Sequence, residues 1–222
     1  MKNKQSICIL FLCVGLFYGL NNCTIQKLQS QLPQSSLDSI LSPKLLNSER
    51  IKMKYGSYGI KVLSENSKFR VSNLYSFSGE KKITRTFALV NYTEQIDSIF
   101  LEEHLKILEG QSIGSVFKQN QWKIEKKSYF LGEIESSIDF TDTYNLMGNL
   151  APSKLAVYVY GFYIKKDNKS YEYATISEVY HPDFLTLSDL KKIYPDSIKH
   201  LQEIDINEIL EQVKNKMRSN YD

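Results

Sequence analysis

The chain has 222 residues, 42% hydrophobic, with a net charge of +3 and three cysteines, Cys8, Cys13 and Cys23, all close to its start. A length of this order can bury the core of one domain without covalent staples, and a body free of cysteine excludes disulfides and cysteine-held zinc. The basic runs 123–127 and 165–169 are interrupted by Glu125 and Asp167, so they read as solvated strand ends and turns, and nucleic acid is not an expected partner.

Lys2 and Lys4 precede an apolar run over residues 7–20, which is short for a membrane span and suited to the core of a secretory signal. Residues 1–22 are therefore expected to be a signal peptide. Cleavage before Cys23 would leave this cysteine as the lipid-carrying N-terminus of an exported lipoprotein anchored to a membrane of the cell envelope. Leu20-Asn21-Asn22 is a degenerate cleavage site, and a signal anchor or a simple cleaved signal are the alternatives. Residues 23–54 are polar, with Gln26, Gln29, Gln31, Gln34, Pro33 and Pro43, and read as a tether. A single domain over 55–222 follows.

Within it, runs 69–75 and 83–90 alternate as strands do, and Ser78-Gly79-Glu80-Lys81 reads as the hairpin turn between them. Asp97 caps a helix that carries Leu101, Leu105 and Leu108 as one stripe and stops at Gly110. His104 reads as an edge residue of that helix, with neither His181 nor His200 at metal-ligand spacing, so no metal or other cofactor is expected. Residues 122–135 suit a strand or a bent hairpin. Runs 155–164 and 171–180 pair through the turn Lys166-Asp167-Asn168-Lys169. Tyr158, Tyr160, Tyr163, Tyr171 and Tyr173 crowd this hairpin and read as cover for a sheet face before they read as a wall for a planar ligand. Over 205–218, Asp205 and Glu208 cap an amphipathic helix whose Ile206, Ile209, Leu210, Val213 and Met217 should dock on the sheet, or on a partner protein.

Arg70 and Arg85 are the chemically informative pair. An even-numbered hairpin loop puts both on one sheet face, where Arg85 stands among Ile83, Phe87 and Leu89. A guanidinium there must meet a negative group, either a protein carboxylate or a bound anion. Glu178 shares its face with Ala174 and Ile176 and is the candidate carboxylate. Two arginines and one acid leave a positive charge over, as a pocket for a carboxylate ligand needs. Glu103, Glu133 or Glu135 would restore the balance and make the cluster a buried salt-bridge network instead.

Arg70, Arg85-Thr86, the turn with Ile113-Gly114, and Ser177-Glu178-Val179-Tyr180 followed by Pro182 stand in an order that resembles the chorismate pyruvate-lyases. It also resembles the effector-binding, UTRA-like domains of bacterial transcription regulators that share their fold. The likeness spans residues 68–184, with Ser112 where the family commonly has proline. It implies an α+β fold with a mainly antiparallel sheet, helices packed on one side and a small enclosed cavity. It further implies that Arg70 and Arg85 hold ligand carboxylates, that Ile113 and Gly114 present backbone N–H groups, and that Glu178 faces a ring oxygen as the catalytic residue.

The chain lacks a G-x-x-x-x-G-K-[ST] loop, a G-x-S-x-G elbow and an H-E-x-x-H helix, which excludes the usual layouts for nucleotide hydrolysis, serine hydrolysis and zincin proteolysis. Three readings follow. The first is an anchored module binding a small aromatic or enolpyruvyl carboxylate. The second is a chorismate pyruvate-lyase, releasing pyruvate and 4-hydroxybenzoate. The third is a structural or interaction lipoprotein without a ligand. An exported protein is poorly placed to meet a cytosolic metabolite, which ranks binding above turnover.

Overall fold

The computed structural model describes residues 39–137, 139–140, 147, 154–195 and 205–221. The chain divides into two compact units, Met1–Ile40 and Leu41–Asp222. In the first, the described residues Ser39 and Ile40 are helical. The signal segment, the apolar run and Cys23 lie outside the described residues. No helix of the described residues is long and apolar enough to cross a membrane.

The second unit is an α+β fold built on six strands: β1 (Gly59–Glu65), β2 (Phe69–Ser78), β3 (Lys81–Tyr92), β4 (Lys123–Glu135), β5 (Lys154–Lys166) and β6 (Lys169–Tyr180). All neighbours pair antiparallel, in the order β1-β2-β3-β6-β5-β4. The helices are α1 (Asn47–Tyr55), α2 (Leu101–Leu108), entered through a short 3-10 turn at Ser98–Phe100, α3 (Ile113–Gln119), α4 (Leu187–Ile193) and α5 (Ile206–Arg218).

Local chemistry accounts for the hairpins. The β2–β3 turn is the two residues Gly79 and Glu80, and Gly79 takes φ +60°, as the first central position of a II′ turn requires. The β5–β6 turn holds Asp167 at φ 50° and Asn168 at φ 63°, both left-handed, as in a I′ turn matched to strand twist. Residues 123–135 form one strand rather than a bent hairpin.

Between these turns and the core lies a feature that sequence alternation does not carry. Near the turn, Tyr75 faces Thr84, but further along Leu74 faces Thr86, so Arg85 is left over as a β-bulge. The shift pairs Arg70 with Val90. Arg70 therefore lies on the face of Ala88 and Val90, and not with Phe87 and Leu89 as an uninterrupted hairpin dictates.

Both faces of the sheet are apolar and both are covered. Leu74, Ala88, Val90, Tyr158, Tyr160, Phe162 and Ile176 pack with Ile51 of α1, Ile107 of α2, Phe117 of α3 and Leu190 of α4. Val71, Phe87, Leu89, Val157 and Val179 pack with Ile209, Val213 and Met217 of α5. The helices thus divide between two faces instead of sharing one, because a strand that alternates two apolar rows must bury both.

The expected tether also changes. Residue Leu41 already belongs to the second unit, and α1 buries Asn47, Ser48, Arg50 and Ile51. Glu49 accepts the Leu46 N–H at 2.8 Å to start the helix. Gly56, at φ +74°, returns its N–H to Lys52 to end it. The domain begins before residue 55.

Candidate functional site

Arg70 is 1% exposed, and its guanidinium is met by main-chain carbonyls. Nη1 donates to Ile107 O at 2.8 Å and to Gln111 O at 3.0 Å, and Nη2 donates to Gly110 O at 3.2 Å. These oxygens belong to the last turn of α2 and the residues after it, where carbonyls lack helical partners and the helix dipole is negative. A helix C-terminus thus meets this charge, a third solution beside the protein carboxylate and the bound anion.

Glu178 stands across the sheet at a register position opposite Ala88 of β3 and Tyr158 of β5. Its Oε1 accepts from Asn47 Nδ2 at 3.1 Å and its Oε2 from the Tyr180 hydroxyl at 2.6 Å. Burial, then the charge of Glu178, push the Tyr160 and Tyr180 phenols well above the usual tyrosine range. Tyr180 therefore stays protonated and can donate. Asn47 also donates to Thr86 Oγ1 at 3.0 Å. With its nitrogen committed to these two acceptors, the amide oxygen Oδ1 is buried and has no partner among the described residues.

Arg70, Glu178, Ile113 and Gly114 line one cavity of about 70 Å³. Its lining is apolar at Leu74, Ala88, Val90 and Ile176 and polar at Asn47, Ser72 and Lys126. The sequence brings these together through three devices: even-numbered residues of β2 and β3 share a face after the bulge, α1 drops Asn47 onto Glu178, and α3 begins beside them. Gly114 permits a close approach, since a Cβ there would come within 2.8 Å of Leu46 Cδ2. The space freed by this glycine is taken by Leu46, the residue just before α1.

Arg85 is buried, at 8% exposure, but it is not among the residues lining this cavity. The bulge turns it so that Nε donates to Ser76 Oγ at 2.9 Å while the guanidinium lies 3.8 Å over the Tyr55 ring of α1. Ser76 alternates in the same row of β2 as Arg70 and Leu74, so Arg85 does reach the face that α1 covers, near the hairpin end. Burial lowers its pKa, offset in part by Tyr55 and Asp183. The Arg85 carbonyl accepts from His181 N at 3.0 Å. His181 Nδ1 accepts from Asp183 N at 3.0 Å, which leaves Nε2 to donate to Met147 O at 3.0 Å. Burial, then Arg85, hold the His181 pKa below the usual range, in keeping with this neutral tautomer.

Glu103 belongs to neither arginine. Its Oε1 accepts from Trp122 Nε1 at 2.9 Å and Asn120 Nδ2 at 2.8 Å. Burial alone would raise its pKa, but these hydrogen bonds hold it below the ordinary carboxylate value. Asn47 and Lys126 are the site residues that sequence reading passed over. Asn47 fell inside the presumed tether, although Ile51, Tyr55 and Gly56 carry a helix-and-stop signal. Lys126 looked like one of a solvated basic run. Among the described residues, no group of three or more His, Cys, Asp or Glu side chains could hold a metal ion.

No protein-family model matches this chain, and no curated protein is a significant match to it.

Proposed function

We propose that this protein is an envelope-anchored module that binds a small hydroxylated organic carboxylate in the cavity over the sheet. The class is the aromatic or enolpyruvyl carboxylate implied by the resemblance to the chorismate pyruvate-lyases. The observation that carries the reading is the buried Asn47 Oδ1, which lacks a partner among the described residues and lies beside the Glu178 carboxylate in a cavity whose wall also holds Arg70 and Lys126. Two acceptors at one end call for a ligand hydroxyl, and two cations call for its carboxylate. Ligand pockets usually measure about 300–1,000 Å³, so a cavity of about 70 Å³ takes a ring only if Leu46, Asn47 and Ser48 withdraw from its roof. Arg85 has no part in this reading.

Calorimetric titration of the full chain in nonionic micelles with 4-hydroxybenzoate and with chorismate tests it. At least one should bind, and Glu178→Gln should weaken binding by about 1–3 kcal/mol, the usual cost of leaving a buried polar group mismatched. Pyruvate release from chorismate that disappears in Glu178→Gln would mark a lyase in place of a binder. A folded chain that binds neither compound would overturn the proposal.

The second reading, a structural lipoprotein with no ligand, is favoured by one observation. Three backbone carbonyls already meet Arg70, which lessens its call for an anion. Arg70→Ala would then act on folding alone.

A further inference from the structure

Beside the interior cavity lies a second hollow, an open cleft of about 480 Å³. One wall is the segment before α1, residues 43–46, and the others come from α3, β4 and the residue that ends α4. The segment before α1 is held in place. Arg50 is 1% exposed, and it donates to Leu45 O at 2.8 Å and Ser42 O at 2.7 Å.

The charge on this cleft has one sign. Lys44, Lys118 and Lys126 line it, and no acidic side chain does. Lys118 pairs with Glu49 at 2.5 Å, which offsets one of the three. Lys44 and Lys126 have no carboxylate partner among the described residues. Lys126 is half-buried, and instead of an acid it meets aromatic faces. Its ammonium lies 4.2 Å over the Tyr160 ring, 6.0 Å from that of Tyr158 and 5.7 Å from that of Tyr194, with the Tyr194 hydroxyl at 3.5 Å. The three rings are stacked, Tyr160 on Tyr158 at 4.7 Å and Tyr158 on Tyr194 at 4.3 Å. Arg50 adds a second cation 5.9 Å over Tyr194.

Ring faces attract a cation but leave its charge uncompensated, and a concave site lined by one sign concentrates counter-ions of the other. The volume falls within the range of about 300–1,000 Å³ usual for small-molecule sites. Half-buried Tyr194 and the edge of buried Trp122 border the cleft, and of the two rings Tyr194 is the one open to a flat group.

We propose that this cleft is a binding site for a planar organic anion, an aryl phosphate or aryl carboxylate. Lys126 and Lys44 hold its charge, and its ring rests against Tyr194. The site adjoins the one proposed above and shares Lys126 with it, but the proposal does not rest on that reading. Lys126 and Leu46 belong to both linings, whereas Lys44 and Tyr194 belong to the cleft alone and Glu178 to the cavity alone.

Trp122 is the only tryptophan, so its emission reports on the cleft directly. The full chain in nonionic micelles is titrated with phenyl phosphate, inorganic phosphate and phenol, with circular dichroism as the check on folding. Phenyl phosphate should produce a saturable change whose Kd rises at least tenfold in Lys126→Gln and several-fold in Lys44→Gln, and stays unaltered in Glu178→Gln. Inorganic phosphate should bind at least tenfold more weakly, and phenol should leave the emission unchanged. If Lys126→Gln does not fold, exposed Lys44 carries the comparison. The proposal is overturned by the absence of a saturable response in the folded chain, by a response that neither lysine variant alters, or by phenol matching phenyl phosphate. It is also overturned if phosphatidylglycerol doped into the micelles reproduces the whole change, since the cleft would then read a lipid surface.

Discussion

Helices α2 and α5 are both amphipathic by pattern, and the fold uses them in opposite senses. In α5, Ile209, Val213 and Met217 are buried against Val71, Phe87 and Leu89, the face that periodicity selects. In α2, the leucine stripe points outward, with Leu101, Leu105 and Leu108 at 47%, 52% and 40% exposure, while Glu103, His104 and Ile107 are buried. The core that each helix meets accounts for the difference. Under α5 lie aliphatic and phenyl groups, which ask only for hydrocarbon. Under α2 lie Trp122 and Tyr173, whose N–H and O–H need acceptors or donors once they leave water. Glu103 answers the indole, and His104 Nδ1 meets the Tyr173 hydroxyl at 2.9 Å. A stripe in a sequence shows that a helix has two faces, and the partner surface chooses between them.

Substitutions can break this comparison. The largest effect is expected at Met217, fully buried under the sheet. Met217→Ala should cost about 2–5 kcal/mol in a denaturant titration, the range for a large-to-small change in a packed core. A loss below 1 kcal/mol would mean that α5 is not packed as described.

Next comes Glu103→Ala, which leaves the buried Trp122 N–H and the half-buried Asn120 amide without their acceptor. A loss of about 1–3 kcal/mol is expected, together with a shift of Trp122 emission as the indole loses its partner. An unchanged spectrum and midpoint would return α2 to the orientation that its leucines suggest.

A pH series sharpens the same contrast. Burial holds His104 below the ordinary histidine value of 6.5, and burial with Arg85 does the same for His181. The unfolded chain therefore takes up protons that the folded chain refuses, so the stability from these groups is present above pH 6.5 and is lost as pH falls below it. Thermal melts from pH 7.5 to 5 should show Tm falling over that interval, with a flatter profile in His104→Gln. A Tm that rises on acidification would contradict the neutral, buried state of both rings.

The smallest effect is expected on the leucine stripe. Leu105→Ala on the exposed face of α2 should change stability by no more than about 0.5 kcal/mol, as for surface substitutions generally. A core-sized loss at Leu105 would show that something covers the stripe in the folded protein.

Much of the scaffold is legible in the residues themselves. Gly79 and the pair Asp167-Asn168 announce the two hairpin turns because few residues tolerate left-handed backbone. Asp97 and Asp205 announce helix starts because their carboxylates cap backbone N–H groups, and each does so here. The candidate site is legible only in part. Arg70, Ile113, Gly114 and Glu178 come together around one cavity, but Arg85 does not join them, and Asn47 arrives from a stretch that composition alone marks as a tether.

The sequence by itself determined the strand-rich middle, the hairpin turns and the caps, because each depends on a few neighbouring residues. Only the tertiary structure decided the bulge at Arg85, the side on which Arg70 lies, its reception by the end of α2 and the direction of the leucine stripe. A bulge moves the register by one residue and so exchanges the two faces of a strand, and no local signal records it. Backbone carbonyls have no letter in a sequence, so a helix end that receives a guanidinium is invisible until the chain has brought the two together.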